Sequence, residues 1–378
     1  MFEALRIIWD NSGFAALTWQ HCIMIIIACI LIYLAGWRKF EPILLLPIAF
    51  GILLANLPLA NLMLAPSFPD DTGGLLYYLH LGITKGIYPS LIFLGIGVIT
   101  DFGPLIARPS ALFLGAAAQL GIVVSFVLAV ICGFTDAQSA SIAMIGGTNG
   151  HIAVYLTSLL DPELIPPVAV TAYFYMSLIH LIQPPFMRLI TTEKERNAEM
   201  PQLRHVSKLE KICFPILITI LCVLLLPASA PLIGMLMLGN LLKESGLIKS
   251  LSDTSQSSLI NIVTIFLGLT AGATANSENF LSPQTLMIIA LGLIAFIFST
   301  IGGVLFGKLM CLVTKGKINP LIGSAGVAYF PIAANISQTE GQKANPSNSL
   351  LMHAIGPNAA GVIGSIIVSG ILFSLFGR

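Results

Sequence analysis

The chain has 378 residues, of which 56% are hydrophobic and only 9% are charged. Soluble domains carry about 25% charged residues, so this chain has too few charges to cover a water-facing surface and needs lipid as its main solvent. Its net charge of +1 at pH 7 gives no basis for nucleic-acid binding. We therefore predict one integral membrane domain over residues 1–378, built from helices.

Apolar runs long enough to enter or cross a bilayer, at about 20 residues per spanning helix, occur along the whole chain. They lie at 19–37, 41–64, 87–106, 109–134, 138–160, 164–190, 212–227, 231–243, 258–275, 284–312, 318–337 and 347–376. No basic segment or small-residue cleavage site accompanies the first run, so we expect a retained helix and not a signal peptide. Together the runs predict a polytopic, all-α protein with about 11 transmembrane segments.

Two of the runs carry helix-breaking residues in their middle. The run 138–160 contains Gly146-Gly147-Thr148-Asn149-Gly150, and the run 318–337 contains Asn319, Pro320, Gly323, Gly326 and Pro331. Such residues could simply allow close packing of helices. The alternative is that both runs are broken or re-entrant segments that enter the membrane and return.

The distribution of basic residues favours the re-entrant alternative. The loop 191–211 contains five Lys and Arg residues and should face the cytoplasm, which requires 138–160 to dip in and return. The same rule asks 318–337 to dip in from the cytoplasmic side, because Lys315, Lys317 and Lys343 flank it. We therefore predict two inverted repeats, 41–190 and 212–378, separated by a cytoplasmic charged loop at 191–211.

Polar side chains concentrate at the two breaks. Irregular backbone at membrane depth must line a cavity or lie inside protein, and freed carbonyls there can bind sodium. The candidate side-chain ligands are Thr148, Asn149, Asn319, Ser324 and Asn358, with Tyr173 and Tyr175 following the first break. Each of these groups could instead make an ordinary interhelical hydrogen bond.

The remaining polar motifs give little support for other chemistry. No H-E-x-x-H sequence, P-loop or Ser-His-Asp arrangement is present, which argues against metalloprotease, ATP-driven and hydrolase functions. Asp101 is expected to cap the helix at 103–106 or to face water. His180 and His353 are expected to be packing histidines with satisfied hydrogen bonds.

Several longer motifs resemble one known family over about residues 15 to 378. They are Thr100-Asp101-Phe102-Gly103-Pro104-Leu105, Gln183-Pro184-Pro185, Asn261-Ile262-Val263-Thr264-Ile265-Phe266-Leu267-Gly268-Leu269, Asn319-Pro320-Leu321-Ile322-Gly323 and His353-Ala354-Ile355-Gly356-Pro357-Asn358. In order and spacing these are similar to the beta subunit of the sodium-translocating, biotin-dependent decarboxylases. That family acts on oxaloacetate, methylmalonyl-CoA or glutaconyl-CoA.

The resemblance implies a multi-pass subunit of the bacterial cytoplasmic (inner) membrane that releases CO2 from carboxybiotin, consumes a proton and exports sodium. The implied partners are a soluble carboxyltransferase and biotin-carrier subunit, a small membrane gamma-type subunit, and further copies of the chain. The implied catalytic positions are Asn149, Tyr175 and Asn335. The implied sodium-binding positions are Asn149, Asn319, Gly323 and Asn358.

Three of these positions depart from the family pattern. The first break reads Gly-Gly-x-Asp-Gly-Pro in the family, so Asn149 replaces a carboxylate, while Ala328 replaces a Ser and Asn335 replaces an Arg. If the acid and the Arg faced each other, losing both would avoid an unpaired charge in the membrane. We therefore expect a paired exchange of positions 149 and 335.

Proton handling must then differ from the family, because an amide does not titrate near neutral pH. His151, beside Asn149, could titrate in that range or could simply face a loop or a helix end. The sequence leaves two alternatives to a coupled pump. One is an uncoupled, transporter-like relative that passes sodium or a small solute; the other is a structural paralogue that assembles with a competent subunit.

Overall fold

The computed structural model describes residues 9–38, 42–66, 72–275, 280, 282–328 and 330–377. In this part of the chain the regular structure is entirely helical, without a β-strand, which confirms the all-α prediction. The helices are α1 (Trp19–Gly36), α2 (Pro42–Ala55), α3 (Leu75–Thr84), α4 (Ile87–Ile99), α5 (Gly103–Ala107), α6 (Ala111–Ala117), α7 (Leu120–Ile131), α8 (Asp136–Ala143), α9 (Gly150–Leu160), α10 (Ile165–Ser177), α11 (Ile179–Ile190), α12 (Glu193–Arg196), α13 (Lys208–Leu225), α14 (Ala230–Ser245), α15 (Lys249–Thr254), α16 (Ile260–Ala273), α17 (Pro283–Val313), α18 (Ile332–Ala344) and α19 (Leu351–Phe376).

Helices that are long and apolar enough to span a membrane make up much of the described structure. Among the described residues, five helical stretches are long and apolar enough to cross a bilayer: Trp19–Gly36, Ala111–Ile131, Lys249–Ala273, Pro283–Val313 and Leu351–Phe376. Two further pairs, α3 with α4 and α10 with α11, are bent by 60° and 64° and raise the number to seven if each pair is one span. The predicted total of about 11 spans depends on the shorter helices and broken segments, and it stays a prediction.

The run 41–64 is shorter as a helix than its hydropathy suggests. Helix α2 ends at Ala55, and the Asn56 side chain donates hydrogen bonds to the carbonyls of Ile52 (2.8 Å) and Ala275 (2.8 Å). Beyond it, Leu59 and Asn61 adopt positive φ angles of 64° and 49°. Pro58 lies in this stretch and lacks a backbone N–H, so the chain turns although its side chains remain apolar.

Two pairs of helices pack through glycines in the same pattern. In each pair, a Cβ added to either glycine would collide with the carbonyl of the residue three positions before the glycine on the partner helix. Helices α2 and α16 pair through Gly51 and Gly272, which face Leu269 and Ile48; helices α4 and α14 pair through Gly97 and Gly239, which face Leu236 and Leu94. Small residues allow this close approach, which strengthens van der Waals packing between helices in a membrane.

The charged segment after α11 is folded against the helical body. Lys308 on α17 lies 3.5 Å from Glu195. The side chains of Asn319 and Asn348 both donate to the carbonyls of Arg196 and Ala198, at 2.8 to 3.3 Å. These contacts hold the segment over the ends of α17 and α19.

Candidate functional site

The first break lies between α8 and α9. Residues Met144–Gly147 tighten into a 3-10 turn, and Thr148 adopts a left-handed conformation with φ 54°. Asn149 then begins α9 as its N-cap, because its Oδ1 accepts the N–H groups of His151 (3.2 Å) and Ile152 (3.3 Å). A β-branched residue in the left-handed region is strained by about 1–2 kcal/mol, so surrounding contacts must hold Thr148 in place.

The second break provides those contacts. Residues Pro320–Gly326 form a 3-10 segment, Val327 continues in an extended conformation, and α18 begins only at Ile332. The Ala328 N–H donates to Thr148 Oγ1 (3.0 Å), and Asn149 Nδ2 donates to the Ala328 carbonyl (3.3 Å). The two interruptions predicted from Gly and Pro are therefore confirmed, and their backbones are joined directly.

Asn358 on α19 completes this contact region. It is fully buried, and its Nδ2 donates to the carbonyls of Ala325 (2.9 Å) and Val327 (2.7 Å). Its Oδ1 has no hydrogen-bond partner among the described residues. An unsatisfied buried acceptor is costly, and a cation is one group that would satisfy it. We call residues 146–149, residues 325–328 and Asn358 the junction.

Three polar side chains beside the junction were not among the candidates from the sequence: Gln119, Ser299 and Ser365. Ser299 Oγ donates to the carbonyls of Ala118 (2.6 Å) and Gly146. Ser365 Oγ donates to Gln119 Oε1 (3.1 Å) and lies 3.4 Å from the Gly147 carbonyl. All three side chains are buried. The available signal was their position as isolated polar residues inside long apolar runs, where a polar group needs a partner.

Two of the predicted sodium ligands, Asn319 and Gly323, lie on the second break before the junction begins. Asn319 begins the 3-10 segment, whose seven residues span about 14 Å at about 2.0 Å each. Its Nδ2 is used by Arg196 and Ala198, and its Oδ1 accepts the N–H of Leu321 (3.0 Å). Gly323 packs against Gly303 of α17, where a Cβ would meet the Gly303 carbonyl. Asn319 therefore ties the charged segment to the second break.

The predicted catalytic residues make different hydrogen bonds, although Tyr175 and Ile145 of the first break both pack against Gly292 of α17. Asn149 lies in the junction, whereas the Tyr175 hydroxyl donates to the Ile289 carbonyl of α17 (2.9 Å). Asn335 is exposed on α18, while Asn149 is buried. No hydrogen bond joins these two Asn side chains in the described structure, so the expected facing of positions 149 and 335 is not observed.

A buried titratable pair lies beside the first break. His151 Nδ1 and the Tyr173 hydroxyl are 3.0 Å apart, and both side chains are buried. His151 therefore points into the protein and not into a loop. Depending on the tautomer, the imidazole accepts the phenolic proton or donates to the phenolic oxygen.

Two broken segments meet here at buried amide, hydroxyl and carbonyl oxygens. Membrane proteins built from interrupted helices use such meeting points to bind substrates and ions. The family model described as the beta subunit of the Na+-transporting oxaloacetate decarboxylase matches residues 20–376. The chain belongs to this family of membrane decarboxylase subunits.

Curated relatives agree over the whole length. The chain is 52% identical to the methylmalonyl-CoA decarboxylase subunit beta of Propionigenium modestum, with 100% of both chains covered. It is 51% identical to the glutaconyl-CoA decarboxylase subunit beta of Acidaminococcus fermentans, covering 99% of this chain and 98% of the relative. It is 45% identical to the oxaloacetate decarboxylase beta chain 2 of Salmonella typhi, covering 98% of each.

Proposed function

We propose that this chain is the membrane subunit of a sodium-pumping, biotin-dependent decarboxylase, which releases CO2 from carboxybiotin and moves sodium outward. The observation that carries the proposal is the junction, where the backbones of two broken segments meet beside the buried Asn358 Oδ1, which has no hydrogen-bond partner among the described residues. Sodium is the cargo that such neutral oxygen donors suit. The carboxybiotin arrives on a partner subunit.

In this proposal Asn358 Oδ1 and carbonyl oxygens of the junction bind sodium. Asn149 contributes less, since its Oδ1 already accepts two N–H groups of α9. Asn319 and Gly323 act by positioning the 3-10 segment, and Tyr175 by fixing α10 against α17. Protons travel by a group other than Asn149, with the His151–Tyr173 pair as the first candidate.

The partners implied by the family complete the proposal. A soluble carboxyltransferase and biotin-carrier subunit, a small gamma-type membrane subunit and further copies of this chain assemble in the bacterial inner membrane. The exposed apolar surfaces of α1 and α13, whose buried positions are few, are compatible with lipid or a membrane partner. The charged segment 191–211 faces the cytoplasm, where the carrier arrives.

The two glycine-packed helix pairs support an inverted repeat of 41–190 and 212–378. If the two repeats are superposed, α2 of the first corresponds to α14 of the second, and α4 corresponds to α16. The contact between Gly51 and Gly272 then corresponds to the contact between Gly97 and Gly239. The two breaks then correspond as well. Labelling of a Met200→Cys variant from the cytoplasmic side alone is the expected result, and labelling only from outside would contradict this topology.

The test of function is sodium-dependent decarboxylation by the purified complex in liposomes, with sodium uptake measured in parallel. We expect Asn358→Ala to raise the sodium concentration for half-maximal rate at least tenfold, because it removes the free junction oxygen. The matched control is Asn197→Ala, which makes the same change at an exposed position. This control should leave the sodium concentration for half-maximal rate unchanged. Equal sodium dependence in both variants would rule out Asn358 as a ligand.

A specific observation also favours the uncoupled alternative. The junction side chain that replaces the family carboxylate is an amide committed to capping α9, and it cannot alternate between proton and sodium. An uncoupled relative would let sodium into the same liposomes without carboxybiotin and without decarboxylation. Sodium uptake that requires carboxybiotin would exclude it.

A further inference from the structure

A small void of about 10 Å3 lies where α5, α6 and the first turn of α19 meet. This volume is at the lower limit of about 10–15 Å3 that one water molecule requires, and it excludes an organic ligand. Most of its wall is apolar, but three polar residues line it: Arg108, Ser110 and His353. The chemistry of the void therefore depends on these three side chains.

Two of these side chains have a buried nitrogen without a hydrogen-bond partner among the described residues: Arg108 Nη1 and His353 Nδ1. His353 is only 8% exposed, so the expectation of a packing histidine with satisfied hydrogen bonds is wrong at this nitrogen. Most buried polar groups in proteins bond to another protein group or to ordered water, because an unsatisfied one is costly. One partner shared by both nitrogens would remove both costs.

The acidic residue nearest to Arg108 in the sequence is committed elsewhere. Asp101 accepts the Gly103 N–H (2.9 Å), which confirms its predicted capping role, and it lies 3.5 Å from Lys211. Within the described ranges, no hydrogen bond or ion pair links a carboxylate to Arg108 Nη1. The partner of this nitrogen therefore has to come from the void.

Water suits both nitrogens at once. Arginine only donates hydrogen bonds, whereas an imidazole nitrogen that carries no proton accepts them. A guanidinium attracts the oxygen of a water molecule, so the hydrogens of that water point away from Arg108 and can be donated to His353 Nδ1. Ser110 offers a hydroxyl as a third polar neighbour, which is within the two to four partners of a typical buried water.

The two sides of the void belong to different parts of the fold. Arg108 lies between α5 and α6, whereas His353 lies in the first turn of α19. Helices α6 and α19 both pack against the second break: a Cβ added to Gly326 would meet the Leu114 carbonyl, and one added to Gly361 would meet the Gly326 carbonyl. A link across the void therefore fixes two helices that hold the junction.

We propose that the void binds one ordered water molecule, which accepts a hydrogen bond from Arg108 Nη1 and donates one to His353 Nδ1. This water joins the connection between α5 and α6 to α19. Arg108 and His353 are positioning residues, because they fix the helix that carries Asn358, five residues after His353. The water site is independent of the proposed function, whereas its effect on sodium rests on that function.

The first test observes the His353 ring and needs no turnover. The full chain, labelled with ring-15N histidine, is studied in lipid bilayers by solid-state NMR, and His353→Asn assigns this ring among the six histidines. We expect an unprotonated Nδ1, a protonated Nε2 and a cross peak between water protons and Nδ1. A protonated Nδ1, or the absence of that cross peak, would overturn the water site. Signals of this ring that shift when gluconate replaces chloride would assign the void to chloride and overturn it as well.

The second test measures the sodium dependence of decarboxylation by the purified complex. His353→Leu removes the acceptor and should raise the sodium concentration for half-maximal rate by about threefold without changing the maximal rate. His353→Asn keeps an acceptor oxygen near the position of Nδ1 and should restore the original value. The matched control is His180→Leu, at an exposed position, which should change neither quantity. Equal sodium dependence in His353→Leu and this control would overturn the positioning role.

Failure of the water site and failure of the proposed function give different results. The expected NMR signals without any sodium-dependent decarboxylation would leave the water site standing and remove the pump function. Sodium-dependent decarboxylation by a protein whose His353 Nδ1 is protonated would leave the function standing and remove the water site.

Discussion

Replacing Asn149 by alanine tests whether the junction holds the two halves of the chain together. The side chain makes three hydrogen bonds, one to the Ala328 carbonyl across the junction and two to N–H groups of α9. Side-chain hydrogen bonds in membrane proteins are worth about 0.6 kcal/mol each on average, which gives about 2 kcal/mol for the three. Loss of an N-cap residue in soluble helices, at about 1 kcal/mol, is of the same order.

The assay is equilibrium unfolding in mixed detergent micelles, with the SDS fraction at the midpoint as the readout. Asn335→Ala is the matched control, because it makes the same change at an exposed position. We expect Asn149→Ala to lower the free energy of unfolding by about 2 kcal/mol and Asn335→Ala to change it by less than about 0.5 kcal/mol. Equal effects would show that the bonds from Asn149 to α9 and Ala328 contribute nothing measurable.

Three further predictions concern the same fold. The effects of Asn149→Asp and Asn335→Arg on the free energy of unfolding should add within about 0.5 kcal/mol, because position 149 is buried and position 335 is exposed. A larger coupling energy in a double-mutant cycle would support the paired exchange of the two positions. Gly239→Ala should destabilise the protein by about 1–3 kcal/mol, because the added Cβ would meet the Leu94 carbonyl. The control is Gly234→Ala on the same helix, where no atom lies within 4 Å of an added Cβ, and it should be neutral or slightly stabilising. Equal melting temperatures of the two variants would contradict this packing. Glu340→Gln should lower the melting temperature more than Glu163→Gln does, because Glu340 is 2% exposed and accepts bonds from Arg188 and Lys343 at 2.6 to 2.9 Å; an unchanged melting temperature would show that this buried cluster does not stabilise the fold.

Much of the architecture follows from the sequence because lipid imposes strict rules on it. The low content of charge requires a membrane protein, and long apolar runs require helices. Gly and Pro mark where helices break, so the interruptions at 144–149 and 320–331 could be predicted. Hydropathy predicts one apolar run over 41–64, but the helix ends at Ala55. Apolar side chains continue through the turn that follows, where Pro58 lies and where Leu59 and Asn61 have positive φ angles.

The sequence predicts where the helices break, but it does not predict which groups the polar side chains at the breaks bind. Asn319 and Asn149 look equivalent as polar residues at breaks, yet one fixes the charged segment and the other joins the two halves of the chain. Nothing in the sequence marks Arg108 Nη1 and His353 Nδ1 as buried atoms that have no hydrogen-bond partner among the described residues.

The sequence by itself determined that the chain is a helical membrane protein, where its helices break and to which family it belongs. Only the tertiary structure decided that Asn149 meets Ala328 and that Asn358 Oδ1 has no hydrogen-bond partner in the described part of the chain. The physical reason is that a helix in lipid is apolar on every side, so the pattern that reveals the buried face of a soluble helix is weak. Contacts between residues about 180 positions apart are then set by packing, which no local pattern encodes.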